Sequence, residues 1–275
     1  MTSVDPWALP PLPLPLALPL WRLPLRGPDA LRVLHGQTTQ ALLDLAPGQR
    51  RPTCCVSATA RLRALAEVEA TAEGALLDVE AGDAEAVRLA LDRVLFPADR
   101  VTLGPLERLE LVVELLPADD PTASDDFWGL PARCWRRPPE GPGQEATDPV
   151  LLAWLRCRQG IPAVPAELND DHNPFELGLE ERVSLSKGCY LGQETLAKLQ
   201  SRDGVRQRLR RWWCPPDRPV PQPGHGLTGP AGRPLGRITT VVPWRGGAVG
   251  LAMVRREALD QPELEGLLLS SPRSH

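Results

Sequence analysis

Between residues 62 and 70 apolar side chains return at every second position, with Arg63, Glu67 and Glu69 among the intervening polar ones, and the same alternation reappears from 75 to 80. A period of two belongs to a half-buried strand, so these runs predict a strand pair joined through Thr71-Ala72-Glu73-Gly74. Over 84–96 the spacing becomes helical, with Val87, Leu91, Val94 and Leu95 on one face. Residues 29–45 predict another helix, entered through Pro28-Asp29 and carrying Leu31, Leu34, Thr38 and Leu42 inward. Residues 109–116 predict a strand and 149–158 a helix. The segments 117–126 and 136–149, rich in Pro, Asp, Gly and Glu, read as exposed connections around a short piece carrying Trp128 and Trp135. After Gln207, proline and glycine punctuate short β-like runs at 237–242 and 248–254, which predicts a small β module over 206–275. The fold class is α+β.

The apolar run 8–20 is broken by prolines at 10, 11, 13, 15 and 19 and preceded by Asp5 and Pro6. That excludes the helical core of a signal peptide and a membrane span, which needs about 20 uninterrupted apolar residues. Residues 1–20 are expected to form an extended, polyproline-like leader before a first strand near 20–25.

A chain of 275 residues can bury one large core or two to three small ones. Its net charge of −4 leaves no electrostatic footprint for general nucleic-acid binding. The six cysteines, at 54, 55, 134, 157, 189 and 214, form no C-x-x-C pair, so neither a zinc ribbon nor a ferredoxin-type cluster site is indicated and a reduced, cytoplasmic setting fits.

Candidate chemistry gathers at Lys187-Gly188-Cys189-Tyr190-Leu191-Gly192-Gln193-Glu194. Leu191, Thr195, Leu196 and Leu199 predict a helix from Gly192 onward, and Val183-Ser184-Leu185 alternates like a strand before it, which places Cys189 in a strand-to-helix turn. The free amides of a helix start and the ammonium of Lys187 favour a thiolate there. The competing reading is a small packed hydrophobe, the commoner fate of a free cysteine.

Other constellations are weaker. Gly224-His225-Gly226-Leu227-Thr228-Gly229 satisfies G-x-G-x-x-G but lies among prolines, with no helix to face a pyrophosphate, and reads as a turn. Asn169-Asp170-Asp171-His172-Asn173 with Glu176 could hold a divalent ion, yet Asx-rich runs before a proline are turns far more often. Nothing in the spacing brings His172 to Cys189 as a base.

The K-G-C-Y-x-G-Q-E string resembles the signature of the YgfZ family. Two further matches stand in the right order: Leu34-His35-Gly36-Gln37-Thr38-Thr39-Gln40 against an L-x-G-Q-x-T-x-D phrase, and Arg158-Gln159-Gly160-Ile161-Pro162 with Asn173-Pro174-Phe175-Glu176-Leu177-Gly178-Leu179 on the approach to the cysteine. The resemblance implies a folate-binding protein related in fold to the glycine-cleavage aminomethyltransferases, serving iron-sulfur cluster assembly or repair beside client or assembly proteins. It implies a folate-binding region over 21–205, with subdomains of about 21–50 plus 117–205 and 51–116. It implies tetrahydrofolate or a derivative as cofactor and Cys189 with Lys187 as the working pair. Glu176 then falls at the pterin, whose amino-pyrimidine edge suits a carboxylate. Tyr190, Gln193 and Glu194 belong to the same site. Lys198 and Arg202, four residues apart on the following helix, are available for the glutamate tail. Two departures count. The aminomethyltransferases carry an aspartate on the strand pair corresponding to 54–69, where no carboxylate stands before Glu67, and Ala58 to Arg61 replaces a Pro-x-Gly-Arg turn of which only Arg61 survives. The first disfavours the alternative activity, aminomethyl transfer.

Overall fold

The computed structural model describes residues 5–139 and 147–271. Its elements in chain order are β1 (Leu14–Arg26), α1 (Ala30–Gln37), β2 (Arg50–Val56), β3 (Leu62–Thr71), β4 (Gly74–Gly82), α2 (Ala84–Asp92), β5 (Thr102–Leu103), β6 (Glu107–Leu115), β7 (Asp125–Phe127), β8 (Leu130–Arg137), α3 (Pro149–Gln159), α4 (Gln193–Ser201), β9 (Gln207–Cys214), β10 (Gly226–Thr228), β11 (Pro234–Trp244), β12 (Gly247–Arg255), β13 (Glu263–Leu264) and β14 (Leu267–Ser270). The mixture is α+β, dominated by strands. Two compact units form: one from Pro19–Glu110 with Ala163–Gly204, the other from the chain up to Leu18, Leu111–Pro162 and the chain from Val205 on.

In the first unit the hairpin of β3 and β4 lies beside β2 on one side and β1 on the other, all antiparallel, with β5 also pairing β1. The alternation of β3 puts Ala64, Ala66, Val68 and Ala70 in the core, where they meet Leu23, Leu25, Leu77 and Val79 and the inward face of α1. Helix α2 adds Val87 and Leu91 and starts on Asp83, whose side chain accepts from the Ala86 amide at 3.0 Å. In the second unit the chain from β9 onward builds a six-stranded sheet in the order β10-β11-β12-β9-β14-β13 around Trp212, Ile238, Ala252 and Val254. Trp154 of α3 stacks on Trp244 there, with ring centroids 4.7 Å apart.

Four sequence expectations change. The first strand begins at Leu14, inside the expected leader, because Leu16, Leu18 and Leu20 are buried while Pro15 and Pro19 face outward. Leu-Pro alternation is itself a period of two, and prolines on the outward face leave the apolar row intact. Before that strand, the carbonyls of Pro6 and Trp7 accept from Trp154 Nε1 and Arg158 Nε; residues 1–4 of the expected leader, like 140–146 of the expected connection, lie outside the described residues. Helix α1 stops at Gln37 instead of continuing to Leu45: Thr38 is extended, and its amide and hydroxyl both bond the Leu34 carbonyl. Helix α2 stops at Asp92, ahead of the Phe96-Pro97 step that bars helix at Phe96, so Val94 and Phe96 stand 38% and 73% exposed. Residues 183–185 form no strand; the Ser184 amide bonds the Thr39 carbonyl instead.

Candidate functional site

The cysteine segment lies wholly in the first unit and is a loop, with Cys189 three residues before the N-cap of α4 rather than at a strand-to-helix junction. The expected helix starts at Gln193 with Gly192 as its N-cap, while the expected strand before the cysteine does not form. What holds the loop is the end of α1. Lys187 Nζ donates to the carbonyls of His35, of Thr38 at 2.6 Å and of Gln40 at 2.8 Å. His35 Nε2 bonds the Lys187 carbonyl at 2.9 Å, and the Leu191 amide bonds the Gly36 carbonyl at 3.0 Å. A helix end leaves carbonyls without intrahelical partners, and here the cysteine loop supplies the donors. Each of the two motifs is thus the hydrogen-bonding complement of the other.

Lys187 is committed to this clamp and not to the thiol. Burial pulls its pKa down to about 7. The ammonium also sits 4.5 Å from the centroid of the Tyr190 ring. Tyr190 is buried, its hydroxyl has no partner among the described residues, and burial raises it to about 12.

Cys189, flanked by these anchors, is exposed, whereas Cys54, Cys55, Cys157 and Cys214 are buried and Cys134 is half-buried. Burial pushes the thiols of Cys54 and Cys55 up to about 12. The packed-hydrophobe reading therefore fits those cysteines and not Cys189.

Two glycines set the loop. Gly188 (φ +92°) and Gly192 (φ +82°) both take left-handed backbone, but only Gly192 is also packed: a Cβ there would stand 2.9 Å from the Ser57 carbonyl oxygen and 3.2 Å from Ala60 Cα. Gly192→Ala is expected to cost about 2–3 kcal/mol, combining conformation with displacement of the 57–61 turn, and Gly188→Ala only the conformational part of about 1–2 kcal/mol. Urea unfolding of the two variants side by side checks the ordering; equal losses would show that Gly192 does not brace the turn.

That turn survives its sequence departure. Ala60 takes left-handed backbone, with φ +60°. The Ser57 and Ala60 amides close it on the Arg61 and Ser57 carbonyls at 2.9 and 2.8 Å, and Arg61 reaches the Asp171 carbonyl.

A cleft of about 670 Å³ opens beside the turn, lined by apolar Val56, Leu62, Val87, Leu91, Leu168 and Leu191 and by Ser57, Arg63, Asp83, Arg93 and Asp170. Leu191 belongs to both the cleft wall and the cysteine loop. None of Glu176, Tyr190, Gln193, Glu194, Lys198 and Arg202 lines it. Glu176 is buried and closes a turn: its Oε2 accepts from the Asn173 amide at 3.0 Å, while Asn173 Oδ1 accepts from the Phe175 and Glu176 amides. Lys198 pairs with Glu194 at 2.5 Å on the exposed side of α4, and Arg202 is that helix's C-cap. Residues 169–173 are turn chemistry, with the Asp171 amide on Asn169 Oδ1 and Asp170 paired to Arg63 at 2.7 Å. Among the described residues no three His, Cys, Asp or Glu side chains are grouped to hold a metal ion, and no helix is long and apolar enough to cross a membrane.

The same architecture is found in glycine cleavage system aminomethyltransferase T from Bartonella henselae, whose crystal structure superposes with a TM-score of 0.69 over 93% of this chain and 84% of that one at 17% identity. The chain shares its fold with that enzyme. A chloroplastic protein of Arabidopsis thaliana, named as a candidate transferase, is 29% identical over 280 residues, covering 86% of this chain. This chain spans 64% of that protein's length. An aminomethyltransferase of Symbiobacterium thermophilum is 32% identical over 87 residues, 31% of this chain and 22% of that protein. No family model matches the chain.

The residues that sequence reasoning missed are His35, which contacts the loop, and Arg63, Asp83, Asp170 and Leu191, which line the cleft. For His35 a signal existed in the L-x-G-Q-x-T phrase, which marked the segment without saying what it binds. The cleft residues come from segments far apart in the chain and carry no joint signal.

Proposed function

We propose that this chain is a YgfZ-type protein that binds a reduced folate and supports assembly or repair of iron-sulfur clusters, with Cys189 as its working thiol. The observation that carries the reading is that Cys189 alone of the six cysteines is exposed, on a loop whose ends are clamped to α1 by Lys187 and Leu191. A thiol kept for packing does not need such a mount. The fold shared with an aminomethyltransferase and the two mutually bonded motifs point the same way.

The cleft suits a folate in size and character: pockets of about 300–1,000 Å³ with apolar walls and a few polar groups are usual for ligands of that class. Its walls offer Val56, Leu62 and Leu168 to a flat ring, and Arg63 with Arg93 supply guanidinium groups for carboxylates. In this reading the glutamate tail goes to those arginines. Lys198 and Arg202 do not line the cleft, whereas Arg93 does, as does Arg63, which a ligand carboxylate would share with Asp170. A folate bound there would add one-carbon chemistry, and this chain's residues would orient it along a wall that includes the cysteine loop.

Two arms of one experiment test the proposal. Cells lacking the protein are expected to recover iron-sulfur enzyme activity with the wild-type copy and not with Cys189→Ala. The purified chain is expected to release heat on titration with folinic acid, and the Arg63→Ala, Arg93→Ala double variant to bind at least about tenfold more weakly, one lost carboxylate contact being worth about 1.4 kcal/mol or more. Full recovery with Cys189→Ala, or no heat at millimolar folinic acid, overturns the corresponding half.

A further inference from the structure

We infer that His35 is a positioning residue for Cys189, an assignment that rests on the reading of Cys189 as the working thiol. His35 and Lys187 exchange bonds: the His35 side chain reaches the Lys187 backbone, and the Lys187 side chain reaches the His35 backbone. The other ring nitrogen, Nδ1, bonds the Leu42 amide at 3.1 Å. An amide N–H only donates and a carbonyl only accepts, so the two bonds together define one tautomer, with the proton on Nε2.

The consequence for Cys189 is geometric. Its loop is tied down at Lys187 by the carbonyl that receives the His35 proton and at Leu191 by the amide bonded to Gly36. Only Gly188, Cys189 and Tyr190 lie between these ties, and Tyr190 is buried. The Lys187 side chain is long and flexible, so its three bonds tie the loop less directly than a bond to the loop's own backbone does. The bond from the short, rigid imidazole fixes that backbone. His35 thus sets where the loop begins, and Cys189 follows two residues later.

Two amide-bearing variants separate positioning from mere support of the helix end. The side-chain amide nitrogen of His35→Gln lies near the place of Nε2 and can still donate to the Lys187 carbonyl. The side-chain oxygen of His35→Asn lies near Nδ1 and can still accept from Leu42. Amide hydrogen exchange at Leu191, whose amide bonds the Gly36 carbonyl, measured by mass spectrometry on the full chain, is expected to speed up about tenfold or more in His35→Leu, as loosening at Lys187 reaches that bond. It should fall back toward wild type in His35→Gln and not in His35→Asn. Restored protection in His35→Asn equal to or better than in His35→Gln would overturn the inference, as would equal exchange in all four proteins. Should His35→Leu fail to fold, the Gln and Asn variants decide alone. Because exchange is read on the loop, the result stands apart from whether Cys189→Ala supports iron-sulfur activity.

Discussion

Lys187→Met is expected to lower the unfolding free energy by about 3 kcal/mol. A hydrogen bond to a charged group contributes about 1.5–3 kcal/mol, but three that converge on one ammonium are not additive, and water reaches part of the vacated space because Lys187 is only half-buried. Methionine keeps an apolar stem but gives up the ammonium over the Tyr190 ring, so the loss reports the carbonyls of His35, Thr38 and Gln40 together with that cation–π contact. The pH dependence gives an independent check. The folded pKa of Lys187, about 7, lies below the ordinary value of 10.5. Between those values the unfolded chain holds more protons, so wild-type stability rises with pH across the window, while the methionine variant lacks the contribution. The gap between the two proteins should therefore widen from pH 7 to 9. A neutral amine still has two protons to give, so the clamp slackens by one bond without opening. Urea unfolding of both proteins at pH 6.5 and 9 measures this; a gap below about 1 kcal/mol at both values would mean the clamp contributes little.

The strands and helices were legible where one period dominates. The β3-β4 hairpin and the core face of α2 follow from alternation and helical spacing, and their observed ends lie within two to four residues of the expected ones. Reading failed where a tertiary bond replaced a local preference. Residues 38–45 carry helical spacing, yet Thr39 is buried and drawn out of the helix by β2: its amide and hydroxyl bond the Cys54 carbonyl, and the hydroxyl also reaches the Arg182 carbonyl at 2.6 Å. The segment 183–185 alternates like a strand but finds its partner in Thr39 rather than in a ladder. Leu-Pro alternation at 14–20 was masked by the reputation of proline. The site divides in the same way. Cys189 and Lys187 were visible as a motif, but the role of Lys187 was not, because charge beside a thiol is a sequence statement and three carbonyl acceptors from a segment about 150 residues away are not. Glu176 sat in a motif whose local chemistry, a turn closed by two reciprocal side-chain bonds, could have been read from Asn173 and Glu176 at three residues' spacing.

The purified chain is expected to transfer an aminomethyl carbon to tetrahydrofolate at least about 10²–10⁴-fold more slowly than a glycine-cleavage enzyme, the usual worth of one general acid or base. A shared fold does not carry the reaction with it. The turn from Ser57 to Arg61 brings no carboxylate to the cleft, and Ser57 spends its side chain on Thr59 and the Arg61 amide. Folding does bring two carboxylates that the sequence could not place there, Asp83 and Asp170. Both have structural work: Asp83 caps α2 at 3.0 Å from the Ala86 amide, and Asp170 faces Arg63 at 2.7 Å. The assay is formation of methylenetetrahydrofolate from tetrahydrofolate and an aminomethyl-loaded carrier protein. A rate matching a glycine-cleavage enzyme would overturn this reading, and Asp83→Asn and Asp170→Asn would then show which of the two carboxylates had taken the part of the missing aspartate.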